Sequence, residues 1–204
     1  MKNFKVMMMT LIMSLMTLMS FGQEKYSTYF HLANASAYNV LISYPDYDDG
    51  YLLWVEMMPI NKRSEIGGVI IPEDGHSLFI SAFNEAKLKY TEWVNTAKEN
   101  NVTDLRKSMS YKAVVGGFFK YGGTWNFQAV VNLTFEFAIV NNIYLLIART
   151  GNLTSSSNQF VTHDGFWFMF ENEEEINDFL NILSPEKVVE FTNNRSKSND
   201  LFKE

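Results

Sequence analysis

The chain has 204 residues, with 17 Lys and Arg against 23 Asp and Glu, 15% aromatic residues and no cysteine. A net charge of −6 makes duplex nucleic acid and anionic membrane surfaces poor partners. Without cysteine there are no disulfides, no thiolate metal ligands and no lipid-bearing cysteine of a bacterial lipoprotein anchor.

Residues 1–22 read as a secretory signal peptide. Lys2 and Lys5 precede an apolar run from Val6 to Met19, which is shorter than the about 20 residues a spanning helix needs. Ser20-Phe21-Gly22 then places small residues at the two positions a signal peptidase inspects. Lys2 and Lys5 are the only charges lost with this leader, so the mature chain carries 15 basic against 23 acidic residues, a net charge of −8. The expected product is exported to the periplasm or the medium, with no transmembrane or lipid anchor after cleavage. Residues 23–191 have the length of a single domain with one core, and 192–204 form a polar carboxy-terminal tail, expected to fray.

After the leader, "YSTYFHLAN" supplies a first strand, and "YNVLISYPDYDDGYLLWVEMM" two more, about Tyr38 to Tyr44 and Tyr51 to Met57, with Asp49-Gly50 in the loop between them. A short strand at Val69 to Ile71 and another near Ser77 to Ala82 follow. The period then changes: Ala86, Tyr90, Trp93, Val94 and Ala97 share one helical face, with Asn84 as a cap and Asn100-Asn101 as a stop. Thr103 to Met109 reads as a further irregular turn of helix.

Three antiparallel strands come next, separated by Gly122-Gly123 and Asn141-Asn142, both turn pairs that tolerate positive φ. The middle strand alternates from Trp125 to Ile139, and its odd positions are the expected core row. "NQFVTHDGFWFMFE" reads as a hairpin with Asp164-Gly165 at its tip. A helix capped by Asn172, with Glu175 three residues on, and a second one opened by Ser184-Pro185 complete the chain. The whole is α+β: a mainly antiparallel, strongly curved β-sheet meander with one central helix and carboxy-terminal helices.

The chemistry is sparse. His31, His76 and His163 are not spaced for a helical zinc site, and Asp164 beside His163 is accounted for by the turn. Asp46, Asp48 and Asp49 offer clustered hard oxygens for calcium, yet an EF-hand register would put Pro45 and Tyr47 at ligand positions. The acids at 171–175 suit a helix amino terminus. No nucleophile elbow, phosphate loop or dinucleotide fingerprint occurs, and no cofactor is expected. Gly123-Thr124-Trp125 is similar to the Gly-x-Trp triplet of lipocalins, but it stands more than halfway along the chain with too few strands after it for that barrel.

What remains is a polar row on the even face of the long strand, Asn126, Gln128, Asn132, Thr134 and Glu136, with Tyr121 and Tyr47 as aromatic candidates in turns. The row either lines a ligand surface or faces water, as one side of an antiparallel sheet commonly does. The expected function is that of an exported, non-catalytic binding or interaction protein for an unknown ligand or envelope partner. The alternative is a carboxylate-dependent hydrolase acting on glycans or other extracellular substrates.

Overall fold

The computed structural model of the chain describes residues 23–44, 50–61 and 66–200. The leader, Tyr47 and the calcium candidates Asp46, Asp48 and Asp49 lie outside those residues. In chain order the elements are β1 (Glu24–His31), a 3-10 turn (Leu32–Asn34), β2 (Ser36–Ser43), β3 (Leu52–Glu56), β4 (Met58–Pro59), β5 (Gly67–Pro72) and α1 (Glu73–Glu99). Then come β6 (Leu105–Tyr121), β7 (Thr124–Val140), β8 (Ile143–Arg149), β9 (Leu153–Thr154), β10 (Thr162–His163), β11 (Phe166–Phe170), α2 (Glu173–Ile182) and α3 (Pro185–Asp200).

Among the described residues nine strands form one antiparallel sheet in the order β1-β2-β3-β5-β6-β7-β8-β11-β4, and β9 pairs with β10 in a separate ribbon. The α+β antiparallel architecture is therefore the one expected, although the sheet is open and not strongly curled. Only Met57 separates β3 from β4, and β4 pairs with β11 through Pro59↔Phe166 and Trp167↔Met58. One short stretch of chain thus serves two distant places in the strand order.

The core lies between α1, α2 and one face of the sheet. Helix α1 buries His76, Phe79, Ala82, Phe83, Ala86 and Tyr90, a stripe at helical spacing. Phe83 is fully buried against Phe79, Phe135, Phe168, Phe170 and Phe179. Each such ring contributes about 1.5–3 kcal/mol by leaving water. Two smaller apolar clusters, one around Trp54, Phe118 and Phe127 and one around Ala138, Leu145 and Ile147, lie apart from this main core.

Four expectations need correction. The strand at Ser77 to Ala82 is instead the first half of α1. Pro72 takes the cap position, Glu73 and Asp74 favour the helix amino terminus, and the N–H of Glu73 donates to the carbonyl of Tyr51. The turn of helix at Thr103 to Met109 is absent because β6 already begins at Leu105. The expected hairpin at Asp164-Gly165 does not form as such: β10 pairs with β9, while β11 pairs with β8 and β4. Finally, α3 runs on to Asp200, where a frayed tail from Thr192 was expected. Arg195 ties this extension back, pairing with Glu24 at 2.9 Å and lying over the ring of Tyr44.

The turn chemistry matches expectation. Gly122 and Gly123 take φ of 56° and 82°, and Asn141 and Asn142 take 53° and 64°. The Asn172 side chain accepts from the N–H of Glu175, and Glu175 in turn accepts from the N–H groups of Leu32 and Glu171. No helix among the described residues is long and apolar enough to cross a membrane.

Candidate functional site

The long strands β6 and β7 pair over nearly their whole length, and two irregularities decide which way their side chains point. Val115 pairs with Val131 but Gly117 with Gln128, so β7 carries one extra residue at Ala129-Val130. One extra residue exchanges the two faces of a strand. Accordingly, Val131, Leu133, Phe135, Phe137 and Ile139 enter the main core. Phe127 belongs to the Trp54 cluster, and Trp125 is 37% exposed. The odd positions of β7 are not one continuous core row.

The same bulge divides the polar row. Asn126 and Gln128 pair with Phe119 and Gly117, on the core side of the sheet. Asn126 is buried and donates to the carbonyl of Thr124 at 3.1 Å. Gln128 accepts from the N–H of Thr154 at 2.7 Å and donates to the carbonyl of Val130, which fastens β9 to β7. Their polar groups hold the fold. Tyr121 is exposed at the hairpin tip and pairs with Thr124, about 25 Å along the strand from Asn132 at strand rise.

Asn132, Thr134 and Glu136 do stay together, on the face turned away from the core. The pairing register sets their neighbours. Lys112 and Arg149 flank Thr134, Ser108 and Ile147 flank Glu136, and Arg106 and Leu145 flank Ala138. Directly paired residues share a face, so Arg106 and Arg149 stand near Glu136 and Lys112 lies one row away beside Thr134. The Arg106 Nη1 is 3.4 Å from Glu136 Oε1, and the Arg149 Nη2 is 3.7 Å from Oε2. Glu136 is 7% exposed, while both guanidinium groups remain open to solvent. On a chain with excess acid, this face carries three cations around one carboxylate.

A groove of about 680 Å³ adjoins it. It opens where the β5–β6 pairing stops at Ile70↔Gly116 and β5 turns away into α1. Asp74, Leu78 and Glu85 of α1 line one wall, and Lys112, Val114 and Asn132 line the other. Leu78 is 72% exposed. Lys112 and Asn132 therefore belong both to the groove and to the cationic face.

Comparison with known proteins finds no matching family model, no matching curated protein and no matching solved structure.

The histidines are committed elsewhere. His76 donates from Nε2 to the carbonyl of Leu183 at 2.7 Å, which leaves Nδ1 to accept from the Tyr51 hydroxyl at 2.7 Å. His31 accepts from the N–H of Met169 at Nε2, so its proton sits on Nδ1, which is buried without a partner among the described residues. His163 accepts from the N–H of Gly165 and stacks on Phe166 at 4.2 Å, as a residue flanking a turn would. Burial lowers the proton affinity of all three.

Sequence reasoning did not pick out Arg106, Lys112 and Arg149. The signal available was the alternation Arg106, Ser108, Ser110, Lys112 in a strand opposite Glu136, and it was obscured by reading Thr103 to Met109 as a turn of helix.

Proposed function

We propose that this chain is an exported, non-catalytic binding protein, periplasmic or released, whose ligand lies on the outer face of β6–β7 and in the adjoining groove. The observation that carries this reading is the continuity between the two through Lys112 and Asn132. Charged and amide groups converge there beside an apolar wall, the combination that binding sites use for orientation and affinity. The export half of the proposal rests on the leader alone.

The alternative hydrolase has less support. Asp74 and Glu85 are the carboxylates of the groove, and eleven residues of helix place them about 16 Å apart along its axis. Paired glycosidase carboxylates stand roughly 5–9.5 Å apart.

Two measurements test the proposal. Amino-terminal sequencing of the protein recovered from its host should begin at Gln23, and an intact Met1 would remove the export reading. Native mass spectrometry of residues 23–204 isolated from the cell envelope should show a reproducible noncovalent adduct absent from the denatured mass. A bare monomer mass would overturn the ligand-carrier reading.

A further inference from the structure

Building on the binding role proposed above, we infer that the ligand is an acidic glycan, whose carboxylate or sulfate groups are taken by Arg106 and Arg149 on either side of Glu136. The two guanidinium groups meet different oxygens of one carboxylate at 3.4 and 3.7 Å, longer than well-formed charge-assisted hydrogen bonds of about 2.7–2.9 Å. Glu136 offsets their mutual repulsion and holds them apart without using up their donors. Each guanidinium has five N–H groups in a rigid fork, and each is about half exposed. Lys112 adds a third cation one row away and forms no ion pair among the described residues.

The spacing and neighbours favour a sugar polymer over other anions. Lys112, Thr134, Arg149 and Trp167 occupy one row across four adjacent strands, about 14–15 Å from end to end. That row presents a cation, a hydroxyl, a second cation and an indole in succession, with Ser108 and Asn132 in the rows beside it. Hydroxyl and amide groups between cations match a chain that alternates hydroxyls with acidic groups, and the part-buried indole of Trp167, its Nε1 turned inward, adds an apolar ring surface at the end of the row. An extended acidic peptide would need main-chain pairing along the free edge of β6. Strand β6 bulges between Ser108 and Lys112, where it has two more residues than β7, and a bulge interrupts the regular ladder such pairing needs.

The test is titration calorimetry on residues 23–204 with four probes: galacturonate oligosaccharides, their methyl-esterified uncharged counterparts, dextran sulfate, and plain dextran. Galacturonate or dextran sulfate should bind and the uncharged partners should not, with affinity falling as salt rises. Arg106→Gln and Arg149→Gln should each weaken binding about tenfold. Glu136→Gln should tighten it severalfold, because the competing negative charge is gone. A purely structural ion network would not produce that gain. Both arginines are exposed enough that their variants should keep the wild-type melting temperature, and the salt dependence of the unaltered protein tests the same point without any substitution.

Equal binding of charged and uncharged sugars, or no binding of either charged probe, overturns the inference. So does preferential binding of polyglutamate or of phosphatidylglycerol vesicles. An adduct in native mass spectrometry together with failure of both charged sugars would end the glycan assignment and leave the binding role standing. Absence of both would end the two together.

Discussion

His31 shows how much one buried ring can set. Its Nε2 is occupied by the N–H of Met169, and its Nδ1–H has no acceptor among the described residues, an omission that costs about 1–3 kcal/mol. Burial pushes its pKa from 6.5 to about 4. The unfolded chain therefore takes up a proton near pH 6.5 while the folded chain resists until about 4. Stability is complete above pH 6.5, falls through that window on acidification and levels off below it, by something on the order of 3 kcal/mol. Urea midpoints measured between pH 7 and pH 4 should follow that course, and His31→Gln should flatten it. His76 and His163 are shifted in the same direction, so some slope will persist. At His76 the hydroxyl of Tyr51 matters separately. Tyr51→Phe leaves Nδ1 an unpaired buried acceptor and should lower unfolding free energy by about 1–3 kcal/mol.

At the level of elements, β3 and β5 approach so closely that Gly68 has no room for a side chain. A Cβ there would stand 2.0 Å from the carbonyl oxygen of Val55, a backbone atom that cannot rotate away. Gly68→Ala should cost about 1–3 kcal/mol or more, visible as a lowered denaturant midpoint at unchanged slope. The β6–β7 hairpin, its turns, the Asn172 cap and most strands could be read from turn residues and alternation, because those signals are local. The start of α1 could not, since Leu78 to Phe83 is apolar almost throughout and satisfies both the two-residue and the helical period. Only its packing, with Phe79, Ala82, Phe83 and Ala86 buried together, selects the helix. The bulge at Ala129-Val130 was equally hidden. Nothing in "QAVVNL" marks an extra residue, yet that residue decides that Asn126 and Gln128 serve the fold while Asn132, Thr134 and Glu136 face outward. Asn132, Thr134 and Glu136 share the outward face because of that bulge, which the alternation itself does not contain.

For the whole molecule, the charge distribution matters more than the total. A net −6 made anionic partners look unfavourable, but cross-strand pairing gathers Arg106, Lys112 and Arg149 from two separate strands onto the face that holds Glu136. Global charge is legible in composition, whereas a local patch depends on register. The carboxy-terminal helices close the other side. Tyr26 donates to the carbonyl of Ile182, its ring meets Phe191 edge-on at 5.1 Å, and Arg195 reaches Glu24 and Tyr44. Removing residues 192–204 should release the Arg195 contacts and cost on the order of 1 kcal/mol, given the modest worth of part-exposed ion pairs, with little effect on the proposed sugar binding at the opposite face.

The placement of Met57 between two strands with distant partners has a kinetic side. Pro59 cannot meet Phe166, nor His76 the carbonyl of Leu183, until about a hundred further residues have been made. Contacts this remote in sequence close slowly, because loop entropy must be overcome before they add any stability. The amino-terminal strands can pair with one another as they emerge, but β4 and His76 wait for partners that lie in the last quarter of the chain. The last quarter of the chain thus supplies the contacts that the earlier strands cannot make among themselves.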